Sequence, residues 1–129
     1  MLLSFLDKQW RVFGETLDIK LGQLLDQFGR SLGFASPCGK NIEELASTSS
    51  NYVTLPYSVK GNDVSFSGLL SATKSVSQKS KIDACYSLQE TAFAMISETV
   101  ERALSFTSKK ELMIAVSYTH LTLPTNREV

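Results

Sequence analysis

The stretch of sequence that decides the fold is Ile82-Asp83-Ala84-Cys85-Tyr86-Ser87-Leu88-Gln89-Glu90-Thr91-Ala92-Phe93-Ala94-Met95-Ile96. Its apolar side chains recur every three or four residues, and the pattern continues to Phe106. This period is typical of an amphipathic helix with a wide apolar stripe. The sequence therefore predicts one long helix over residues 82–106. The predicted stripe consists of Ile82, Cys85, Leu88, Ala92, Phe93, Ile96, Val100 and Leu104.

Three shorter helices are predicted before it. The first starts near Asp18, with Thr16 or Asp18 as its cap and Gly33 just past its end. Its apolar face consists of Leu21, Leu24, Leu25, Phe28 and Leu32. Asn41 and Glu44 have the spacing of a capping box and predict a second helix. Residues 63–65 precede a third, and residues 74–81 are expected to be a polar linker.

Gly22 and Gly29 lie inside the first predicted helix. Each glycine costs a helix about 1 kcal/mol relative to alanine. We therefore expect close backbone packing or a nearby ligand to compensate at both positions.

The strands are predicted to be short. Apolar residues at 2–5 and 9–13 indicate an N-terminal hairpin. Residues 52–56 could form a strand that its proline ends. The unbroken apolar run at 112–116 is typical of a strand buried on both faces. The fragment is thus expected to be mostly α, with one hairpin and one C-terminal strand.

Composition limits the possible functions. The 129 residues fit one domain, and 13 basic residues balance 13 acidic ones, which disfavours a free-standing RNA-binding module. Cys38 and Cys85 match no metal-binding spacing and favour a reducing, cytoplasmic compartment. No apolar run approaches the roughly 20 residues of a membrane span, and the N-terminus lacks the features of a secretion signal.

Residues 117–129 differ from the rest of the chain. Ser117-Tyr118-Thr119-His120-Leu121-Thr122-Leu123-Pro124-Thr125 has neither a helical nor a strand period and resembles translated sequencing adapter. We therefore expect residues 1–116 to be a partial domain and residues 117–129 to be a non-native tail. The natural gene is expected to encode Gly-Gly after Val116.

Five motifs occur in a fixed order over residues 2–116. They are Phe13-Gly14-Glu15-Thr16-Leu17-Asp18-Ile19 followed by Leu25-Asp26-Gln27-Phe28, Gly33 followed by Pro37-Cys38-Gly39 and Ile42-Glu43-Glu44-Leu45, Leu55-Pro56-Tyr57, Asp63-Val64-Ser65-Phe66-Ser67-Gly68-Leu69-Leu70, and Cys85-Tyr86-Ser87-Leu88-Gln89-Glu90-Thr91-Ala92-Phe93-Ala94-Met95. Together they resemble the tRNA N6-adenosine threonylcarbamoyltransferase family, in its archaeal and eukaryotic cytosolic form.

The resemblance implies an α/β parent fold of the actin-like and sugar-kinase-like ATPase type, with two lobes around a cleft. It implies transfer of threonylcarbamoyl from threonylcarbamoyl-adenylate to the N6 amine of the tRNA adenosine next to the anticodon. The implied partners are tRNA and the other KEOPS-type subunits, including a small atypical kinase. The full-length family is expected to hold one divalent metal ion of the iron, zinc or magnesium class, and this fragment none. The implied location is cytoplasmic, or also nuclear in a eukaryote.

Three nucleotide-binding positions carry over by resemblance: Asp26, Gly39 and Glu43. Carboxylates accept hydrogen bonds from ribose hydroxyls, and a glycine lets a ligand approach the backbone. Without the family, these residues are a solvated helix-face acid, a turn residue and an ordinary first-turn acid. Cys38 stands where the family has glycine, and we expect it to tighten the pocket.

No catalytic or metal-binding residue is expected in the fragment, so the chain alone is predicted to be inactive and marginally folded. A second function class stays open, a non-enzymatic actin-like ATPase relative acting as a binding or scaffold module.

Overall fold

Helices dominate the computed structural model of the chain, which describes residues 1–114. The elements are β1 (Leu2–Leu6), β2 (Gln9–Gly14), α1 (Leu21–Ser31), α2 (Gly39–Ala46), β3 (Val59–Lys60), β4 (Asp63–Val64), α3 (Ser67–Ser77) and α4 (Lys81–Thr107). The mostly helical prediction is confirmed, and so are the N-terminal hairpin and the long helix.

The long helix α4 organises the packing, since α2 and α3 both lie against it. It begins after Ser80, whose hydroxyl accepts a hydrogen bond from the backbone N–H of Asp83. Its buried face differs from the predicted stripe, because Ile82 and Phe93 are exposed. Small polar residues occupy buried positions instead: Ser87, Thr91 and Thr99.

The core forms where α1, α2, α3 and α4 meet. Its largest fully buried side chains come from each of these helices and from the turn before α3. They include Leu24, Phe28, Ile42, Phe66, Leu69, Leu88 and Met95. Aliphatic and aromatic groups buried in this way supply most of the free energy that favours folding, at about 25 cal/mol per Å² of apolar surface.

The hairpin is paired antiparallel through a tight turn. Asp7 and Lys8 both have positive φ, at 52° and 64°, which suits a two-residue turn between twisted strands. The rings of Phe5 and Trp10 pair across the strands at a centroid distance of 5.3 Å. Trp10 therefore packs against its cross-strand neighbour.

The start of α1 corrects one prediction. Asp18 does not cap α1, which begins at Leu21 after Lys20. The Asp18 carboxylate instead accepts hydrogen bonds from the Ser65 hydroxyl at 2.6 Å and the Phe66 N–H at 2.9 Å, beside the first turn of α3. Asp18 thus joins two segments that are far apart in sequence.

Asp18 is also electrostatically distinct. Partial burial raises the pKa of its carboxyl, but hydrogen bonds from the Ser65 and Ser67 hydroxyls and from the backbone N–H groups of Phe66 and Ile19 outweigh that effect. The net result holds the pKa of Asp18 well below its usual range.

Several local predictions were wrong. Helix α2 begins at Gly39 after Cys38, so Asn41 lies inside the helix and does not cap it. Residues 52–56 form no strand, because side chains of α4 hold this loop. The Val53 N–H donates to the Ser87 hydroxyl, and the Tyr52 hydroxyl meets that of Thr91, both at 2.8 Å.

Two further boundaries also differ from prediction. The expected polar linker at residues 74–81 is mostly helical, since α3 continues to Ser77 and α4 begins at Lys81. Over the described part of the strand expected at 112–116, Met113 and Ile114 are 74% and 49% exposed, so the expected burial on both faces is wrong there. Residues 115–116 and the predicted tail at 117–129 lie outside the described residues.

The three glycines in or just after α1 have different surroundings. Gly33 follows α1 with φ of 94°, so it is the predicted C′ residue. At Gly29 an added Cβ would lie 2.2 Å from the Cys38 Cβ, which confirms the expected close packing. At Gly22 an added Cβ would meet nothing within 4 Å, so close backbone packing does not explain that glycine.

Among the helices of residues 1–114, none has the length and apolar character needed to cross a lipid bilayer.

Candidate functional site

A cleft of about 550 Å³ lies where α2 meets α4, with α1 beside it. Two of the three predicted site residues line it, Gly39 and Glu43. The complete lining, called the candidate cleft below, consists of Leu25, Gly39, Lys40, Glu43, Gln89 and Phe93. Residues from three helices thus meet around one opening.

Asp26 lies next to the candidate cleft and holds the residue that precedes α2. The half-buried carboxylate accepts a hydrogen bond from the backbone N–H of Cys38 through Oδ1, at 2.9 Å. Cys38 is the residue before Gly39, so this bond ties α1 to the first turn of α2. Within residues 1–114, Oδ2 of Asp26 has no hydrogen-bond partner.

Gly39 is the first residue of α2, and the fold does not require a glycine there. An added Cβ would meet only the Leu25 Cδ1, at an ordinary contact distance of 3.8 Å. The backbone φ of Gly39 is not positive, unlike that of Gly33. The open space beside Gly39 therefore belongs to the cleft, and the backbone conformation there does not require glycine.

Glu43 lies one helical turn after Gly39, on the same face of α2. Its side chain is exposed and has no hydrogen-bond or ion-pair partner within the described residues. A free carboxylate at the mouth of a cleft can accept hydrogen bonds from hydroxyl groups of a ligand.

The Cys38 side chain does not line the candidate cleft, so the expectation that it tightens the pocket is wrong. It is fully buried, and its Sγ contacts the carbonyl oxygens of Ala35 and Asp26 at 3.5 and 3.7 Å. The space it fills is the one left by the missing side chain of Gly29. Cys38 therefore belongs to the packing beneath the site.

A family model described as tRNA N6-adenosine threonylcarbamoyltransferase matches residues 1–123. The chain belongs to this family. A tRNA N6-adenosine threonylcarbamoyltransferase of Methanocella arvoryzae is 53% identical over 114 residues, which cover 88% of this chain and 35% of the relative. The protein of the same name from Methanothrix thermoacetophila is 52% identical over 107 residues, 82% of this chain and 33% of the relative.

A further relative from Methanosarcina mazei bears the name "Probable bifunctional tRNA threonylcarbamoyladenosine biosynthesis protein". It is 50% identical over 115 residues, which cover 88% of this chain and 21% of the relative. The chain thus spans about a third or less of the length of these curated relatives. The predicted boundary at Val116 stays a prediction, because the family match continues past it.

Four cleft residues were not predicted from the sequence: Leu25, Lys40, Gln89 and Phe93. Phe93 was assigned to the buried stripe, yet its side chain is 46% exposed. A signal did exist, because Gln89 and Phe93 are four residues apart and share one face of α4, beside the buried Leu88 and Ala92. A polar residue in line with an aromatic one indicates the edge of the buried stripe.

Metal chemistry does not fit the described residues. Within residues 1–114, no three His, Cys, Asp or Glu side chains come together as a metal site would require. His120 is the one histidine of the chain and lies outside the described residues. Burial raises the pKa of the Cys85 thiol to about 11, so this thiol is suited to packing and not to ligation or nucleophilic chemistry.

A second cleft, of about 310 Å³, lies between α3 and the start of α4. Its carboxylate is Asp83, which already accepts hydrogen bonds from the Ser49 hydroxyl at 2.7 Å and the Asn51 amide at 3.0 Å. These bonds lower the pKa of Asp83 and engage both of its oxygens. The acid of the second cleft is therefore a satisfied structural group, unlike Glu43.

Proposed function

We propose that the chain is part of an enzyme that forms threonylcarbamoyladenosine in tRNA. The N6 amine of the adenosine next to the anticodon attacks the carbamoyl carbon of threonylcarbamoyl-adenylate. The bond from that carbon to the phosphate oxygen breaks, AMP leaves with the electron pair, and the amine loses one proton to solvent. Family membership and the names of the relatives support this reaction.

The candidate cleft is proposed as one wall of the nucleotide site. Its supporting observation is the arrangement of Gly39 and Glu43 on one face of α2, with the Asp26 carboxylate bonded to the residue before them. Oδ2 of Asp26 and the carboxylate of Glu43 are free to accept ribose hydroxyls, and the missing side chain at Gly39 leaves room for the sugar. Hydrogen bonds to charged groups contribute about 1.5–3 kcal/mol each.

The remainder of the enzyme is proposed from the family. It consists of an actin-like parent fold with a second lobe, one divalent metal ion, and the tRNA and KEOPS-type partners in the cytoplasm. The metal would supply positive charge that orients the acyl-adenylate. Within the described residues, no cluster of side chains fits such a metal ion.

The test uses a chimera in which residues 1–116 replace the corresponding part of the Methanocella arvoryzae relative. With its partner subunits, the chimera should transfer labelled threonylcarbamoyl to tRNA. Nucleotide binding without transfer would support the scaffold alternative, and loss of both would contradict the proposal.

Two substitutions test the acids of the cleft. Asp26→Asn keeps an oxygen for the Cys38 N–H and removes the charge, while Glu43→Gln changes an exposed side chain. Each should weaken nucleotide binding by about one to two orders of magnitude. Glu44→Gln is the matched control, because Glu44 is an exposed acid of the same helix that does not line the cleft. Unchanged affinity in Asp26→Asn and Glu43→Gln would remove these acids from the site.

A further inference from the structure

Helix α4 contributes two side chains to the candidate cleft that the proposed ribose contacts do not use. They are Gln89 and Phe93, which line the side of the cleft that faces α2. Gln89 is half-buried, and within residues 1–114 its amide has no hydrogen-bond partner. Phe93 lines the cleft and is 46% exposed, although it belongs to the helix that forms the core.

Their spacing suits a single planar ligand. Residues four apart lie on one face of a helix, about 6 Å apart along its axis. One flat ring can therefore lie against the Phe93 ring and present its edge to the Gln89 amide. An exposed aromatic face binds planar bases by stacking, and a glutamine amide pairs with a base that offers one donor and one acceptor.

We propose that Gln89 and Phe93 form the base-recognising wall of the nucleotide site and select adenine. This inference rests on the proposed function, which places a ribose between Asp26, Gly39 and Glu43. Phe93 stacks on the purine. Gln89 accepts a hydrogen bond from the adenine N6 amine through Oε1 and donates one to N7 through Nε2. Guanine presents two acceptors, O6 and N7, at the same edge, so Oε1 of Gln89 would face another acceptor.

The test is equilibrium binding of AMP, GMP and ribose 5-phosphate, by calorimetric titration, to the chimera in which residues 1–116 replace the corresponding part of the Methanocella arvoryzae relative. The chimera should bind AMP more tightly than GMP. Phe93→Ala should weaken AMP binding about 5- to 150-fold and leave ribose 5-phosphate unchanged, whereas Phe93→Tyr should retain AMP binding. Gln89→Leu should reduce the preference for AMP over GMP toward unity.

Controls and contrary outcomes separate this inference from the proposed function. Phe106→Ala removes another exposed ring of α4 that does not line the cleft, and it should leave binding unchanged. Far-UV circular dichroism checks that each variant keeps its helices. If Phe93→Ala and Gln89→Leu bind AMP as the unsubstituted chimera does while Asp26→Asn does not, the base wall is wrong and the ribose site stands. If the chimera binds neither AMP nor ribose 5-phosphate, both proposals are wrong.

Discussion

Gly29→Ala should destabilise the protein, although alanine is the better helix former. The new Cβ would lie 2.2 Å from the Cβ and 2.6 Å from the Sγ of Cys38. The Cβ of Cys38 is fixed to its backbone and cannot turn away, so α1 and the turn before α2 must separate. Overpacking of this kind costs about 1–3 kcal/mol or more, and alanine returns about 1 kcal/mol of helix propensity. We expect a net loss of about 1–2 kcal/mol in the free energy of unfolding.

The same substitution should change sign in a Cys38→Gly background. Once the Cys38 side chain is removed, the nearest remaining atom is the Cα of residue 38, at an ordinary 3.6 Å. Gly29→Ala should then stabilise the helix by up to about 1 kcal/mol. The coupling energy between the two positions should accordingly be about 2–3 kcal/mol, at the upper end of the range for residues in contact.

The assay is equilibrium urea unfolding followed by far-UV circular dichroism, since Trp10 is 70% exposed and would be a poor fluorescent reporter. The four proteins of the double-mutant cycle are compared, with Gly22→Ala as the control in the same helix. An added Cβ at Gly22 meets nothing within 4 Å, so that variant should be as stable as the unsubstituted chain or slightly more stable. An equal effect of Gly29→Ala in both backgrounds would refute the packing argument.

Three further predictions concern charge, thiols and the C-terminal tail. Because hydrogen bonds hold the pKa of Asp18 below its unfolded value near 3.9, its ionised form stabilises the fold above that value, and the contribution is lost as the pH falls toward the folded pKa. Asp18→Asn should lower the urea midpoint at neutral pH, and its difference from the unsubstituted chain should shrink below about pH 4; a pH-independent difference would contradict the linkage. Cys38 and Cys85 are both buried, so they should react slowly with a thiol reagent in the folded chain and rapidly in denaturant. Fast labelling of the folded protein would contradict the burial of these two thiols. Deleting residues 117–129 should leave the unfolding midpoint unchanged, and a natural gene that encodes Ser-Tyr-Thr-His after Val116 would refute the adapter interpretation.

Local periodicity predicted the elements well where one pattern ran through a whole element. The apolar spacing that predicted residues 82–106 as a helix corresponds to α4, because a helix of that length repeats its signal over many turns. The hairpin was equally clear, with two apolar runs separated by a two-residue turn. Gly33 marked the end of α1 because a positive φ at C′ favours glycine.

Errors arose where a residue's partner lies far away in sequence. Aspartate is a common helix cap, and Asp18 lies just before α1. Its carboxylate instead accepts hydrogen bonds from residues 65–67, and no local sequence pattern indicates these distant partners. Residues 52–56 have strand-like side chains, yet the inward-facing polar groups of Ser87 and Thr91 hold them as a loop. Tertiary hydrogen bonds outweigh a weak strand propensity over so few residues.

The residues of the candidate site were predicted by resemblance. The geometry around them explains why the site tolerates cysteine at position 38. Cys38 stands where the resemblance implies glycine, immediately before Gly39, and a larger side chain there could have displaced the rim. It does not, because its side chain fills the space above Gly29, less than one helical turn from Asp26. The bond that holds Asp26 comes from the backbone N–H of residue 38, which glycine and cysteine both provide. The substitution is thus accommodated by the glycine on α1, so Gly29 should control the tolerance for cysteine at position 38 although it does not line the candidate cleft.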